Sequence, residues 1–117
     1  MRTENRAKVE FVVGEFNSSG FIAIFEQDDT SGYLYLCESN YKVREALHIY
    51  NRSKVTATED QVKVVWSADG QRCGVLIGSR LRGVIGINGD MYRPPMTSLD
   101  SDPVTLPEWT FGFEGWI

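Results

Sequence analysis

His48 is the only imidazole in the chain, and Cys37 and Cys73 are its only thiols, so nucleophilic or metal chemistry has few ways to be built. Cys37 with His48 would make a nucleophile–base pair, with Glu38 placed to orient the ring, because an activated thiol needs a base and the base needs a third group. The alternative is a buried strand cysteine and a histidine at the end of an element. The sequence favours that alternative, since nothing announces the electropositive pocket that a thiolate requires. Zinc takes four ligands at short, recognisable spacing, and neither cysteine has a Cys or His neighbour at such spacing. No metal and no cofactor are expected.

The remaining polar groups invite the same two-way test. Glu26, Asp28 and Asp29 bring three carboxylates together, yet they lack the Asp-x-Asp-x-Asp-Gly order and the distal glutamate of an EF-hand, so a solvated hairpin tip is expected. The run Gly83–Gly89 (GVIGING) resembles a phosphate-cradling loop only in its glycines. No Lys-Ser/Thr pair follows, and Pro94 and Pro95 block the helix whose N-terminus would hold a phosphate. Those glycines are expected to mark bulges or places where another group packs close. Arg80 and Arg82 are read as a solvated strand face, with Arg82 kept as a candidate ligand contact. The 14 aromatic residues are expected to serve mostly as core. Tyr33, Tyr35, Trp109 and Trp116 are the ones to test for exposure, because Tyr and Trp dominate the energetic centres of protein interfaces.

The elements that must position these residues are mostly strands. Gln61–Ile87 contains three short apolar runs joined by two tight-turn signals, the pattern of an antiparallel meander. Val62, Val64 and Trp66 alternate with Lys63 and Val65, as a pleated strand requires. Ser67-Ala68-Asp69-Gly70 supplies one turn and Gly78-Ser79 suits a two-residue hairpin loop. Leu81, Gly83, Ile85 and Ile87 are expected on one face of the third strand, with Arg80, Arg82 and Val84 on the other. Upstream, Lys8–Phe16, Phe21–Glu26 and Tyr33–Glu38 read as strands separated by the turn clusters NSSG and QDDTSG. Phe21–Glu26 is apolar on both faces, which places it centrally in a sheet.

Val43, Ala46, Leu47 and Tyr50 fall at i, i+3, i+4 and i+7, and Asn40 can cap them, so a short helix is expected over Tyr41–His48. Prolines at 94, 95, 103 and 107 keep the region after the meander out of a central strand. Trp109, Phe111 and Phe113 alternate and suggest a terminal strand laying aromatics on the core, followed by Trp116. The expected fold is mainly β (α+β): a meander, small sandwich or open barrel of about seven to eight strands with one short helix near 41–48, as a single domain over residues 1–117.

Composition narrows the partners. Sixteen acids against twelve bases give a net charge of −4, which supplies no positive field for nucleic acid. Residues 1–13 (MRTENRAKVEFVV) show no signal-peptide pattern, and no apolar run is long enough to cross a bilayer, so a cytoplasmic protein with no membrane partner is expected. In that reducing compartment the cysteines are expected to be free and buried, with a disulfide between them as the alternative. The sequons at Asn17 and Asn51 then carry no weight.

Glu45–Asn51 (EALHIYN), Val62-x-Val64-x-Trp66-Ser67-x-Asp69-Gly70 and Gly74–Ile77 (GVLI) together resemble a small bacterial family of uncharacterised single-domain proteins. The likeness covers about the middle 45 residues; the segment after Gly78 and the prolines near 94 depart from it. It implies a bacterial, cytoplasmic origin and no assigned activity. Three functional classes follow from the residues. The first is a non-catalytic protein-interaction module, one version being an immunity-type inhibitor, with homodimerisation through an edge strand or the C-terminal aromatics. The second is a small-ligand binder using a cleft between sheet and helix near His48, with Arg82 or Trp116 as contacts. The third is an enzyme using Cys37 or His48. The interaction module is the leading expectation.

Overall fold

The computed structural model describes residues 7–117, so the leader-free reading of residues 1–6 lies outside the described residues. Two four-stranded antiparallel sheets account for the molecule. Sheet A takes β1 (Val9–Phe16), β2 (Phe21–Asp28), β3 (Ser31–Glu38) and β4 (Val43–Asn51) in that spatial order. Sheet B takes β5 (Val62–Trp66), β6 (Arg72–Ile77), β7 (Arg80–Gly86) and the two-residue β8 (Met91–Tyr92), likewise in chain order. A 3₁₀ turn, Glu59–Gln61, leads into β5, and a four-residue helix, α1 (Pro107–Thr110), lies in the C-terminal segment. The mainly β expectation holds, with eight strands and no closed barrel among the described residues, and β2 is a central strand as its two-sided apolar pattern implies.

Turn chemistry explains the two meanders. Asn17 accepts bonds from the Ser19 and Phe21 amides through its side chain while Gly20 takes a φ of 89°, closing β1 onto β2. Asp28 does the same for Thr30 and Ser31. Between β6 and β7 both Gly78 and Ser79 have positive φ, 60° and 70°, so the two-residue loop bends as a type I′ turn whose twist suits a hairpin.

The main core lies between the sheets. Ala23, Phe25, Leu34, Leu36 and Ile49 from sheet A meet Val62, Val64, Cys73, Val75 and Ile85 from sheet B, all buried. Close approach there needs glycine at position 83: a Cβ on Gly83 would stand 2.6 Å from the Ile49 methyl. A second cluster lies on the far side of sheet B. Val65, Leu76, Leu81 and Val84 are covered by Val104 and Phe113, with Tyr92 and Trp109 packed at its margin. The C-terminal segment is therefore a strap across the outer face of sheet B. It is also stitched by the Val104 amide to Leu81 O (2.8 Å) and the Ala68 amide to Gly112 O (2.9 Å).

Three expectations are corrected. Residues 41–48 form no helix: Val43–Asn51 is edge strand β4. Its register against β3 skips twice, leaving Arg44 and Ile49 as extra residues. Each bulge stretches a same-face spacing from two to three, Val43 to Ala46 on the outer face and Leu47 to Tyr50 on the inner, and the two pairs together imitate a helical stripe. In β7, Leu76 pairs with Leu81 but Val75 with Gly83, so Arg82 is a bulge residue and Leu81 joins Val84 on the outer face rather than Gly83 and Ile85 on the inner one. Finally, Trp109–Phe113 is no strand. Pro107 starts a helical turn, and Gly112 at φ 91° ends it, leaving Phe113 buried and Phe111 68% exposed.

Candidate functional site

The strand registers set the outer face of sheet A in three cross-strand rows. Phe16, Ile22, Cys37 and Val43 form one; Gly14, Ile24, Tyr35 and Ala46 the second; Val12, Glu26, Tyr33 and His48 the third. Their neighbours Ala23, Phe25, Leu34 and Leu36 point the other way, into the core between the sheets. An antiparallel sheet with one solvated face normally alternates apolar-in with polar-out. Here Glu26 and His48 are the only charged or imidazole side chains in the three rows. Val12, Phe16 and Val43 are 50%, 54% and 53% exposed, although Ile22 and Cys37 between them are buried. With strands about 4.8 Å apart and same-face residues about 6.8 Å apart, the rows span roughly 400 Å² of sheet, within which the Ile22 and Cys37 positions are already buried.

Aromatic contacts order this face. Tyr33 and Tyr35 stack, centroids 5.7 Å apart, and the edge of the His48 ring meets Tyr33 at 5.1 Å. Phe16 and Tyr41 meet edge to face at 6.5 Å, with Tyr41 held at a φ of 69° in the β3–β4 turn. His48 Nε2 lies 3.0 Å from Asn51 Oδ1, which fixes the ring's orientation. Burial, then the neighbouring Glu26 carboxylate, push the Tyr35 phenol above its ordinary range. Tyr33, Tyr35 and His48 are thus brought together. Val12, Phe16, Ile24 and Val43 belong with them and were missed. Their signal was present, because β1 and β2 carry apolar residues at both parities.

The other candidates lie elsewhere. Arg82 is 1% exposed, and its guanidinium donates from Nη1 to Ser101 O at 2.5 Å and from Nη2 to Leu99 O at 2.7 Å, so it clamps the strap. Its Nε is buried without a partner among the described residues. Burial, with Arg80 nearby, lowers its pKa. The solvated-face reading of Arg82 is therefore overturned, and it is withdrawn from any open ligand surface. Trp109 stacks on Tyr92 at 5.6 Å, and the Arg72 guanidinium covers Trp109 at 4.8 Å while donating to Glu108 O. Trp116 is exposed with the Lys63 ammonium 4.8 Å above its ring.

The nucleophile pair is not assembled. Cys37 lies four residues along β3 from Tyr33, the partner of His48, a separation of about 13 Å at the strand's rise. Burial pushes the Cys37 thiol up, and that of Cys73 to about 12, away from the thiolate. Both cysteines are free. Among the described residues no three of His, Cys, Asp and Glu converge as metal ligands, and no helix is long and apolar enough to cross a membrane. The helix-walled cleft near His48 does not exist, since β4 replaces the helix. A cleft of about 360 Å³ opens instead at the far end of sheet B, among Asp69, Arg72, Asn88, Asp90 and Phe111. Its polar groups are already bonded locally: Asp69 accepts from the Gln71 amide (3.0 Å) and the Ser67 hydroxyl (2.7 Å), which hold its carboxyl below the usual range.

Residues 5–90 match the family model described as "Uncharacterized protein conserved in bacteria (DUF2251)". The chain belongs to that bacterial family, in line with the resemblance carried by EALHIYN and VxVxWSxDG. The matched range holds sheet A and β5–β7 and ends just before β8 and the strap. No match was found among the curated proteins or the solved structures.

Proposed function

We propose that this member of the family is a non-catalytic protein-interaction module whose working surface is the outer face of sheet A. The observation that carries the reading is the outer face of sheet A, where Val12, Phe16 and Val43 stand half exposed around Tyr33, Tyr35 and His48. Apolar patches on protein surfaces are often functional docking sites. Tyrosines suit the role because they bring large contact area with only two rotatable side-chain bonds to immobilise. The separation of Cys37 from His48 and the raised thiol argue against the enzyme reading. The excess of acids, 16 against 12, turns nucleic acid away and suits a basic protein target, of which an immunity-type inhibitor is one version. Free thiols suit a reducing cytoplasm.

The test compares wild-type chain with a Val12→Lys/Val43→Lys variant as immobilised bait, after circular dichroism has shown both to be folded. Proteins retained by the wild type at physiological salt should be lost from the variant. Identical retention by the two baits would remove the outer face of sheet A from the function.

A further inference from the structure

Residues 97–117, the strap across the outer face of sheet B, are lightly held. Only Val104 and Phe113 in that span are buried, and no residue of it joins a strand. We infer that the strap is a hinged cover: it leaves sheet B as one cooperative unit while both sheets stay folded, and Arg82 is the latch that keeps it shut. The inference stands apart from the docking reading of sheet A.

The hinge follows from burial. Met96 belongs to the main core, whereas Thr97, Ser98, Leu99, Asp100 and Asp102 beyond it are exposed, so movement begins past Met96. Separability follows from the ladders. Sheet B is held together by β5, β6, β7 and β8, and its inner face rests on sheet A through Val62, Val64, Cys73, Val75 and Ile85. None of those contacts passes through residues 97–117. Lifting the strap breaks the Val104 amide bond to Leu81 O, the Ala68 amide bond to Gly112 O, the two Arg82 bonds and the Arg72 bond to Glu108 O. Cooperativity follows from the strap's own turns. The Trp109 and Thr110 amides donate to Leu106 O, the Phe113 amide to Thr110 O and the Trp116 amide to Phe113 O, so these bonds form and fail with the seating of the Phe113 ring.

The closed latch carries its own cost. Arg82 is buried, its charge faces the neutral carbonyls of Leu99 and Ser101, and its Nε has no partner among the described residues. Opening hydrates the whole guanidinium as it uncovers Val65, Leu76, Leu81 and Val84, so a polar gain offsets part of the apolar loss. The protein therefore has two folded states that differ in the outer face of sheet B, and the open one lies nearer in free energy than global unfolding.

Native-state hydrogen exchange on the full chain, in rising but sub-denaturing urea, tests the inference. The amides of Val104, Phe111 and Phe113 should converge on one urea-dependent opening, well less protected than the amides of central strand β2. Ile49→Val, which trims the main core, should speed β2 exchange about fivefold and leave the three strap amides unchanged, because its small cavity is present whether the strap is shut or open. Arg82→Ala should speed exchange of the strap amides roughly thirtyfold. Strap amides as well protected as those of β2, or quickened along with them by Ile49→Val, would show that the strap opens only when the whole molecule unfolds, and would overturn the inference. Exchange of the three amides at unrelated rates without urea dependence is piecemeal fraying and overturns it equally. Strap protection untouched by Arg82→Ala overturns the part assigned to Arg82.

Discussion

The two sheets present outer faces of similar chemistry and meet opposite fates. Sheet B turns Val65, Leu76, Leu81 and Val84 outward, and the chain covers them with its own strap, Val104 and Phe113 pressed into place and Arg82 gripping the carbonyls of Leu99 and Ser101. Sheet A turns Val12, Phe16, Ile24, Tyr35 and Val43 outward, and apart from Tyr41 of the β3–β4 turn against Phe16 no strap like that of sheet B lies over them among the described residues; Val12, Phe16 and Val43 stay half exposed. Apolar residues at both parities of a strand therefore announce a covered sheet without saying who supplies the cover. In sheet B the answer is intramolecular and lies beyond the matched family range; in sheet A Val12, Phe16 and Val43 are left half exposed.

The comparison breaks first at Phe113. Phe113→Ala removes a fully buried ring from beneath the strap and should cost about 3–5 kcal/mol in urea unfolding, as large-to-small core changes do. A cost below about 1 kcal/mol would mean that the strap is a loose tail. Arg82→Ala should cost about 2 kcal/mol and speed proteolysis within residues 97–103, because two strap carbonyls lose charged donors. Arg82→Met should recover part of that stability, since a buried cation facing carbonyls is expensive to desolvate. On the bare face, Val12→Ala should change stability by no more than about 0.5 kcal/mol, as expected for a half-exposed site.

The smallest effect concerns acid. Glu10 accepts from Arg52 and then from Gln27, and these bonds hold its carboxyl below the ordinary 4.5. A depressed folded-state value stabilises the fold above the unfolded value, and the contribution fades as pH falls through the lower folded one. Glu10→Gln should therefore flatten the pH dependence of the melting temperature below about pH 4.5 and leave it unchanged near neutrality.

Much of this fold was legible because its turns are written in residues with few alternatives. Asn17–Gly20, Asp69-Gly70 and Gly78-Ser79 each fix a hairpin by backbone chemistry alone, and the meander from Gln61 to Ile87 followed from them. What stayed hidden were the bulges. Arg44 and Ile49 in β4, and Arg82 in β7, shift the parity of the residues after them, and a bulge depends on the partner strand rather than on local sequence. Two displaced residues gave β4 the look of a helix, and a third sent Leu81 to the wrong face. The site was half legible for a related reason. Tyr33, Tyr35 and His48 could be chosen by residue type, but that they share a face with Val12 and Phe16 needed the register of all four strands.

Gln27 illustrates how a single amide can stand in for a missing rung of ladder. Its Oε1 accepts from the Tyr50 hydroxyl and the Ala57 amide (3.0 Å), and its Nε2 donates to Ala57 O (3.0 Å) and to Glu10 (2.8 Å). The side chain thus imitates a peptide unit towards the crossover that leads from one sheet to the other. Glutamate at this position would lose both donated bonds and force a repulsion with Glu10, so the crossover would swing free and the sheets would lose their common frame.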